Sequence, residues 1–197
     1  MLDADDLRRL IEATPDRYRA LVALSLMTGL RQSEALGLRW RDVDLGDEPT
    51  IRVRHQLDRR GDLVEPKTKA ARRDVPLTPE LARLLHEHKA GSSFASDDDF
   101  VFASDVGTPL GHRNLSRRAL DPATKAAGLP HLRWHDLRHL AASALIEAGT
   151  SDHDLSRVLG HGDAVVTKTT YAHEFARAER VERTRERMTT AYAGVLA

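Results

Sequence analysis

The chain has 197 residues, of which 41% are hydrophobic, so it is long enough to bury a core and is expected to form one domain. Its 30 basic residues balance 30 acidic ones, and a formal net charge of zero argues against a protein that simply coats nucleic acid with a strongly basic surface. The absence of cysteine excludes disulfides and thiolate metal sites.

Apolar residues at helical spacing predict two helices at the start of the chain, at 2–12 and 16–28. The second helix is expected to end at Gly29, since glycine often follows the last turn of a helix. A further short helix is predicted at 33–38, and the turn residues that follow it separate this helical region from the next part of the chain.

The next part of the chain predicts a small sheet. Apolar and basic residues alternate at 50–56, which is typical of a strand with one solvated face. We expect residues 63–66 and 72–77 to complete a three-stranded antiparallel sheet, with turns at 59–62 and 67–71.

The rest of the chain predicts helices. Thr78 and Pro79 are typical of a helix N-terminus, and that helix is expected to run to about Lys89. The further predicted helices are 112–127, 134–148, 151–159, 164–171 and 175–192. The sequence therefore predicts one domain, 1–197, that is mainly α with a small three-stranded antiparallel sheet (α+β), and a C-terminal tail helix at about 175–192.

The charges are clustered, so a neutral chain can still present a basic face. Basic residues concentrate at 52–60, 67–73, 113–118 and 133–139. No apolar run approaches the roughly 20 residues that span a bilayer. The N-terminus lacks the basic-then-apolar order of a signal peptide, and we expect a cytoplasmic protein.

Most of the side chains that are suited to catalysis lie in four short segments. They are Thr28–Glu34 (TGLRQSE), Pro66–Lys69 (PKTK), His135–His139 (HDLRH), and Leu159–His161 (LGH) followed by Tyr171–His173 (YAH). Each has an ordinary explanation by itself, because arginine and lysine are usually surface residues and a lone tyrosine usually packs. The ordered set is far more specific than any one part.

Together these segments resemble the tyrosine recombinase (phage integrase) family, over nearly the whole chain. That family has an arginine after a Thr-Gly-Leu turn, a hairpin lysine, a His-x-x-Arg pair, a Leu-Gly-His and a tyrosine shortly beyond. The resemblance implies the DNA breaking-rejoining catalytic-domain fold. It also implies a catalytic set, which consists of Arg31, Lys67, His135, Arg138, His161 and Tyr171, with Glu34 orienting Arg31 or His161.

The residue types suit attack on a phosphodiester. Extra negative charge develops on the non-bridging oxygens, and Arg31 and Arg138 offer planar sets of donors for it. His135 is three residues before Arg138 on one helical face, where it is expected to donate a further hydrogen bond to the phosphate.

The resemblance assigns the remaining roles. Lys67 is the general acid for the departing 5′ oxygen, with Lys69 a less favoured substitute, and His161 assists the phosphate or accepts a proton. Tyr171 is the nucleophile, and we expect the basic cluster to make it reactive, because a free tyrosine has a pKa near 10. The products are a 3′-phosphotyrosyl link and a free 5′ hydroxyl.

No cofactor is expected from this chemistry. The covalent link preserves the energy of the broken bond, so ATP is not required, and arginines take the electrostatic role of a metal. The expected partners are double-stranded DNA and further copies of the chain, as a tetramer on paired DNA sites, with no membrane association.

The resemblance also concerns the two ends of the chain. Family members usually carry a separate N-terminal core-binding domain, which we expect to be absent from this chain, and we therefore expect weak DNA binding with little sequence preference. In the C-terminal segment, which includes the tail helix, Val181, Met188 and Val195 are expected to dock on a neighbouring protomer.

Two other interpretations remain open. His135 and His139, four apart on a helix with Asp136 between them, resemble the two histidines of a zinc hydrolase, although a third ligand such as His153 or His161 would be required. Alternatively, residues 154–171 resemble a helix-turn-helix of a protein that binds DNA without cutting it.

Overall fold

A computed structural model of the chain describes residues 2–193 and 195. In chain order the α-helices are α1 (Ala4–Ala13), α2 (Asp16–Thr28), α3 (Gln32–Leu36), α4 (Pro79–Ala90), α5 (Asp121–Ala126), α6 (Trp134–Glu147), α7 (Asp152–Leu159), α8 (Ala164–Thr170) and α9 (Ala172–Ala191). The strands are β1 (Val43–Asp44), β2 (Thr50–Val53), β3 (Gln56–Leu57), β4 (Leu63–Val64) and β5 (Arg73–Pro76).

The helix ends follow from capping residues that the sequence already displays. The side chains of Thr78 and Ser151 accept hydrogen bonds from the backbone N–H groups at the starts of α4 and α7. Helices α2 and α7 end at Gly29 and Gly160, whose φ angles of 65° and 69° lie in the left-handed region that favours glycine.

The predicted three-stranded antiparallel sheet exists, but its strands differ from those we expected. Its order is β1-β2-β5, and β1 was not predicted. The predicted strand at 50–56 ends at Val53, and β3 pairs instead with β4 in a separate two-stranded ribbon. Two-residue strands are too short to show an alternating pattern, which explains both errors.

The predicted helix at 112–127 is also interrupted. It consists of a 3₁₀ turn at His112–Asn114, a π-helical segment at Ser116–Leu120 and then α5. Pro122 stands in the first turn of α5 and has no N–H to donate to the preceding turn, which accounts for the change of helical type.

Helix α2 lies at the centre of the core and packs against α6. A second, smaller cluster consists of apolar side chains from α6 and α7 and the ring of Tyr171, between α8 and α9. Helix α9 has no buried residue, and it begins three residues earlier than predicted. None of the helices that the structure describes has the length and apolar character needed to cross a membrane.

Candidate active site

Arg31 and Glu34 form the first part of the site, directly after α2. Arg31 stands at the N-terminus of α3, and its backbone N–H donates to Oε2 of Glu34 at 2.9 Å. Its guanidinium Nη1 donates to Oε1 of the same carboxylate at 2.8 Å. Glu34 therefore orients Arg31, which is one of the two roles that the resemblance implied for it.

Arg73 is a second partner of Glu34, and sequence reasoning did not single it out. Its guanidinium donates to Oε1 and Oε2 of Glu34 at 3.1 and 2.9 Å, and its Nε donates to the carbonyl of Val158 at 2.6 Å. The side chains of Arg73 and Glu34 are only 6% and 1% exposed. The available signal was an arginine at an inward-facing position of a strand, beside the apolar Val75.

The buried Glu34 carboxylate stays ionised. Burial by itself raises the pKa of a carboxyl group, but the hydrogen bonds and charge of Arg73, together with the charge of Arg31, outweigh it and hold the pKa of Glu34 below its usual value.

Arg138 lies between the C-terminal ends of two helices. Its Nη1 donates to the carbonyl of Gly29 at 2.6 Å and its Nη2 to the carbonyl of Leu159 at 2.8 Å, and the residue is 3% exposed. Burial, followed by the charge of Arg31, lowers the pKa of Arg138 to about 10. The guanidinium therefore remains cationic at neutral pH.

The two predicted arginines meet at the end of α7. Arg31 Nη2 lies 3.4 Å from the carbonyl oxygen of Gly160, one residue after the carbonyl that Arg138 binds. A Cβ atom at Gly160 would lie 2.6 Å from Nη1 of Arg73. Glycine is therefore required at this position for two reasons, the close approach of the Arg73 side chain and the positive φ.

His161 lies at the same point and is neutral at pH 7. Its Nε2 is 2.9 Å from Nη2 of Arg138, and its Nδ1 is 2.6 Å from the hydroxyl of Thr167. Burial, and then the charges of Arg138, Arg31 and Arg73, lower the pKa of His161 to about 4. His161 is therefore a candidate proton acceptor and not a permanently charged side chain.

His135 is exposed and lies beside this group on the first turn of α6. Its ring meets the ring of His139 edge to face, with centroids 4.7 Å apart, and His139 in turn contacts the ring of Tyr171 at 5.6 Å. Partial burial, and then the charges of His139 and Arg138, lower the pKa of His135.

Tyr171 is buried in this structure. It is 2% exposed and packs with Ala142, Ile146, Leu155 and Leu159. Burial raises the pKa of its hydroxyl, and the nearby charge of Arg138 offsets this only in part. In this conformation the loss of solvation is the larger effect, so the activation of Tyr171 by the basic cluster stays a prediction.

Lys67 is exposed and is not brought into contact with the arginines. It lines a groove together with Gln56 of β3, His112 and Ser33, which lies on α3 beside Glu34. The groove therefore extends from the β3–β4 ribbon to α3. Lys69 is also exposed and begins a 3₁₀ turn at Lys69–Ala71.

Neither alternative interpretation is favoured. Within residues 2–193 and 195, His135 and His139 are not joined by a third histidine or carboxylate in a group able to hold a metal ion. A helix-turn-helix without catalytic chemistry is not favoured either, because His161, between α7 and α8, contacts Arg138, and Tyr171, directly after α8, packs with Leu159.

Comparison with known proteins identifies the family of the chain. The phage integrase family matches residues 1–177. The chain is 32% identical over 193 residues to a tyrosine recombinase XerC-like protein of Caldanaerobacter subterraneus, with 86% of this chain and 49% of that protein covered. It is 34% identical over 165 residues to a putative prophage phiRv2 integrase of Mycobacterium tuberculosis, with 81% and 44% covered. The chain thus spans about half the length of the curated relatives it matches.

Solved structures give the same result for the fold. The crystal structure of XerA recombinase matches with a TM-score of 0.74 and 26% identity, covering 94% of this chain and 63% of that chain. The Tn1549 transposon integrase in complex with transposon right end DNA matches with a TM-score of 0.72 and 26% identity, covering 94% and 65%.

Proposed function

Because this chain belongs to the phage integrase family of tyrosine recombinases, we propose that it is a catalytic domain that cuts and rejoins DNA at specific sites. The observation that carries the proposal is the meeting of Arg31, Arg138 and His161 at the end of α7. Two cations and a neutral proton acceptor at one point suit a phosphodiester whose negative charge increases during reaction.

In the proposed reaction the oxygen of Tyr171 attacks phosphorus and the bond from phosphorus to the 5′ oxygen breaks. Arg31 and Arg138 stabilise the non-bridging oxygens, and His135 donates to one of them. His161 accepts the proton of the tyrosine, and Lys67 gives a proton to the departing oxygen. A 3′-phosphotyrosyl link and a free 5′ hydroxyl result, and attack by the 5′ hydroxyl of another strand reverses these transfers.

Two side chains must move for this reaction. Tyr171 must leave its apolar cluster, and its position between α8 and α9 makes that junction the natural hinge. Lys67, exposed on the groove beside α3, must approach the bound phosphate. The described conformation is accordingly one that precedes DNA binding.

The proposed partners are double-stranded DNA and further copies of the chain. A DNA partner is supported by the complex of the similar Tn1549 integrase with transposon right end DNA. For assembly, Val181 and Met188 on α9 are 53% and 57% exposed, and we propose that they dock on a neighbouring protomer in a tetramer on paired sites. The reaction as written uses neither ATP nor a metal ion.

The test is covalent trapping on nicked DNA. Duplexes with a randomised core and a nick release the short 5′-hydroxyl fragment after cleavage, which traps the protein on DNA as a band that survives denaturation. We expect the wild-type chain to form this adduct and Tyr171→Phe, which keeps the buried ring, to form none.

A matched control is Tyr192→Phe, at an exposed tyrosine near the end of α9. It should leave adduct formation unchanged. An adduct that persists in Tyr171→Phe, or that is lost in Tyr192→Phe, would contradict the proposed nucleophile.

A further inference from the structure

Thr167 is a fully buried polar residue to which the reaction above gives no role. It lies on α8 with 0% exposure, and its hydroxyl oxygen is 2.6 Å from Nδ1 of His161. Either the Thr167 hydroxyl or Nδ1 of His161 is the donor in this short hydrogen bond, depending on which ring nitrogen carries the proton.

The contact with Arg138 settles the direction of that bond. A guanidinium has donors only, so Nε2 of His161, 2.9 Å from Nη2 of Arg138, must accept. His161 is neutral at pH 7, since its pKa is lowered to about 4, and its single ring proton is therefore on Nδ1. That N–H donates to the hydroxyl oxygen of Thr167.

Thr167 is also linked to the nucleophile. Its backbone carbonyl accepts a hydrogen bond of 2.9 Å from the backbone N–H of Tyr171, in the last turn of α8. The same residue thus holds the ring of His161 through its side chain and the turn that carries Tyr171 through its main chain.

We propose that Thr167 is a positioning residue, which fixes the Nδ1–H tautomer of His161 and so leaves Nε2 unprotonated, as a proton acceptor at the reacting phosphate must be. Without the hydroxyl, a partly buried Nδ1–H has no acceptor, and this penalty shifts His161 toward the Nε2–H tautomer. That tautomer places an N–H against the N–H of Arg138 and leaves no lone pair on Nε2 for the tyrosine proton.

The first part of the test reads the tautomer directly, in the free protein. Nitrogen-15 spectra of histidine-labelled chain, with the His161 signals assigned from His161→Asn, should show a protonated Nδ1 and an unprotonated Nε2 in wild type and in Thr167→Ser. In Thr167→Val, which keeps the shape of the side chain, the Nε2–H form should become populated. An unchanged tautomer in folded Thr167→Val would overturn the inference.

The second part, which rests on the proposed function, reads DNA cleavage with the nicked duplexes. Thr167→Val should lower the rate of adduct formation by about tenfold or more while DNA affinity stays the same, and Thr167→Ser should restore the rate. Thr124→Val is the matched control, since Thr124 is also buried on a helix and its hydroxyl donates to a backbone carbonyl.

The outcomes separate the two proposals. A shifted tautomer with an unchanged cleavage rate, or equal losses in Thr167→Val and Thr124→Val, would overturn the positioning role. A wild-type chain that forms no adduct while Thr167→Val shifts the tautomer would contradict the proposed function and support the assignment of the His161 proton to Thr167.

Discussion

At the scale of single residues, Glu34 holds two arginines of the site, Arg31 and Arg73, in place. A carboxylate that is 1% exposed loses most of its solvation, which costs several kcal/mol. Two hydrogen bonds from Arg73 and two from Arg31 offset that loss. Glu34 thereby links the turn after α2 to β5, which lies about forty residues further along the chain.

Removal of the Glu34 charge should destabilise the fold. Glu34→Gln leaves the buried Arg73 without a compensating charge, and we expect the free energy of unfolding to fall by about 3 kcal/mol, measured by urea denaturation. Glu87→Gln breaks the exposed ion pair with Arg83, and it should change the free energy of unfolding by less than about 1 kcal/mol. Equal effects of the two substitutions would contradict the buried ion pair.

His161 should make stability depend on pH. Its pKa in the folded chain is about 4, whereas an unfolded histidine titrates near 6.5. Between these values the unfolded chain binds the additional proton, so this contribution to stability is present above pH 6.5 and is lost as the pH falls toward 4. Urea denaturation at pH 7.5 and pH 5 should show a larger loss for wild type than for His161→Asn. A loss of the same size in both would mean that His161 is not held neutral.

The sequence predicted some residues of the site and missed others for a physical reason. Arg31, Arg138, His161 and Tyr171 belong to short motifs, and all four lie at or beside the end of α7. The place of Arg73 in the site depends on contacts between residues far apart in the sequence, such as its hydrogen bond to the carbonyl of Val158, 85 residues away. Such contacts exist only once the strand and the helices have packed, and no local spacing reveals them.

At the scale of elements, the left-handed glycines at the ends of α2 and α7 shape the site. The carbonyls of Gly29 and Leu159, at these two ends, bind the Arg138 guanidinium, and both lie where a helix dipole is negative. Helix ends of this kind were predictable because glycine marks them. The separate pairing of β3 with β4 was not, because two residues carry no periodicity, and the strand predicted at 63–66 was expected to join the larger sheet.

Substitutions at two glycines distinguish the effect of backbone strain from the effect of steric crowding. Gly160 and Gly128 have φ angles of 69° and 67°, but only at Gly160 would a Cβ meet another atom within 4 Å, namely the guanidinium of Arg73. Gly128→Ala should therefore cost about 1 kcal/mol from strain alone. Gly160→Ala should lower the free energy of unfolding by at least about 1 kcal/mol more than Gly128→Ala, measured by urea denaturation. It should also slow adduct formation, measured by covalent trapping. Indistinguishable variants would show that Arg73 does not pack against Gly160.

At the scale of the whole molecule, α9 is a long helix that lies on the surface of the domain. It contacts α6 and α8, yet none of its residues is buried. The exposed apolar residues of α9, Val181 and Met188, would be covered in the proposed assembly on DNA.

Assembly should depend on the apolar residues of α9. Met188→Glu places a charge at the proposed docking surface, and we expect fewer multimeric protein–DNA complexes by analytical ultracentrifugation. The control is Val106→Glu, at a residue that is 79% exposed in the loop between α4 and α5. Because both positions are exposed, neither substitution should unfold the chain. Unchanged assembly in Met188→Glu would remove α9 from the interface.

The most direct test of the whole account is to identify the residue that joins the chain to DNA in the trapped adduct. The chain has three tyrosines, and mass spectrometry of the digested adduct locates the link to one residue. We predict a phosphotyrosyl bond between Tyr171 and the 3′ end of the cleaved strand. A link at Tyr18, at Tyr192, at a residue other than tyrosine or to a 5′ end would contradict the account.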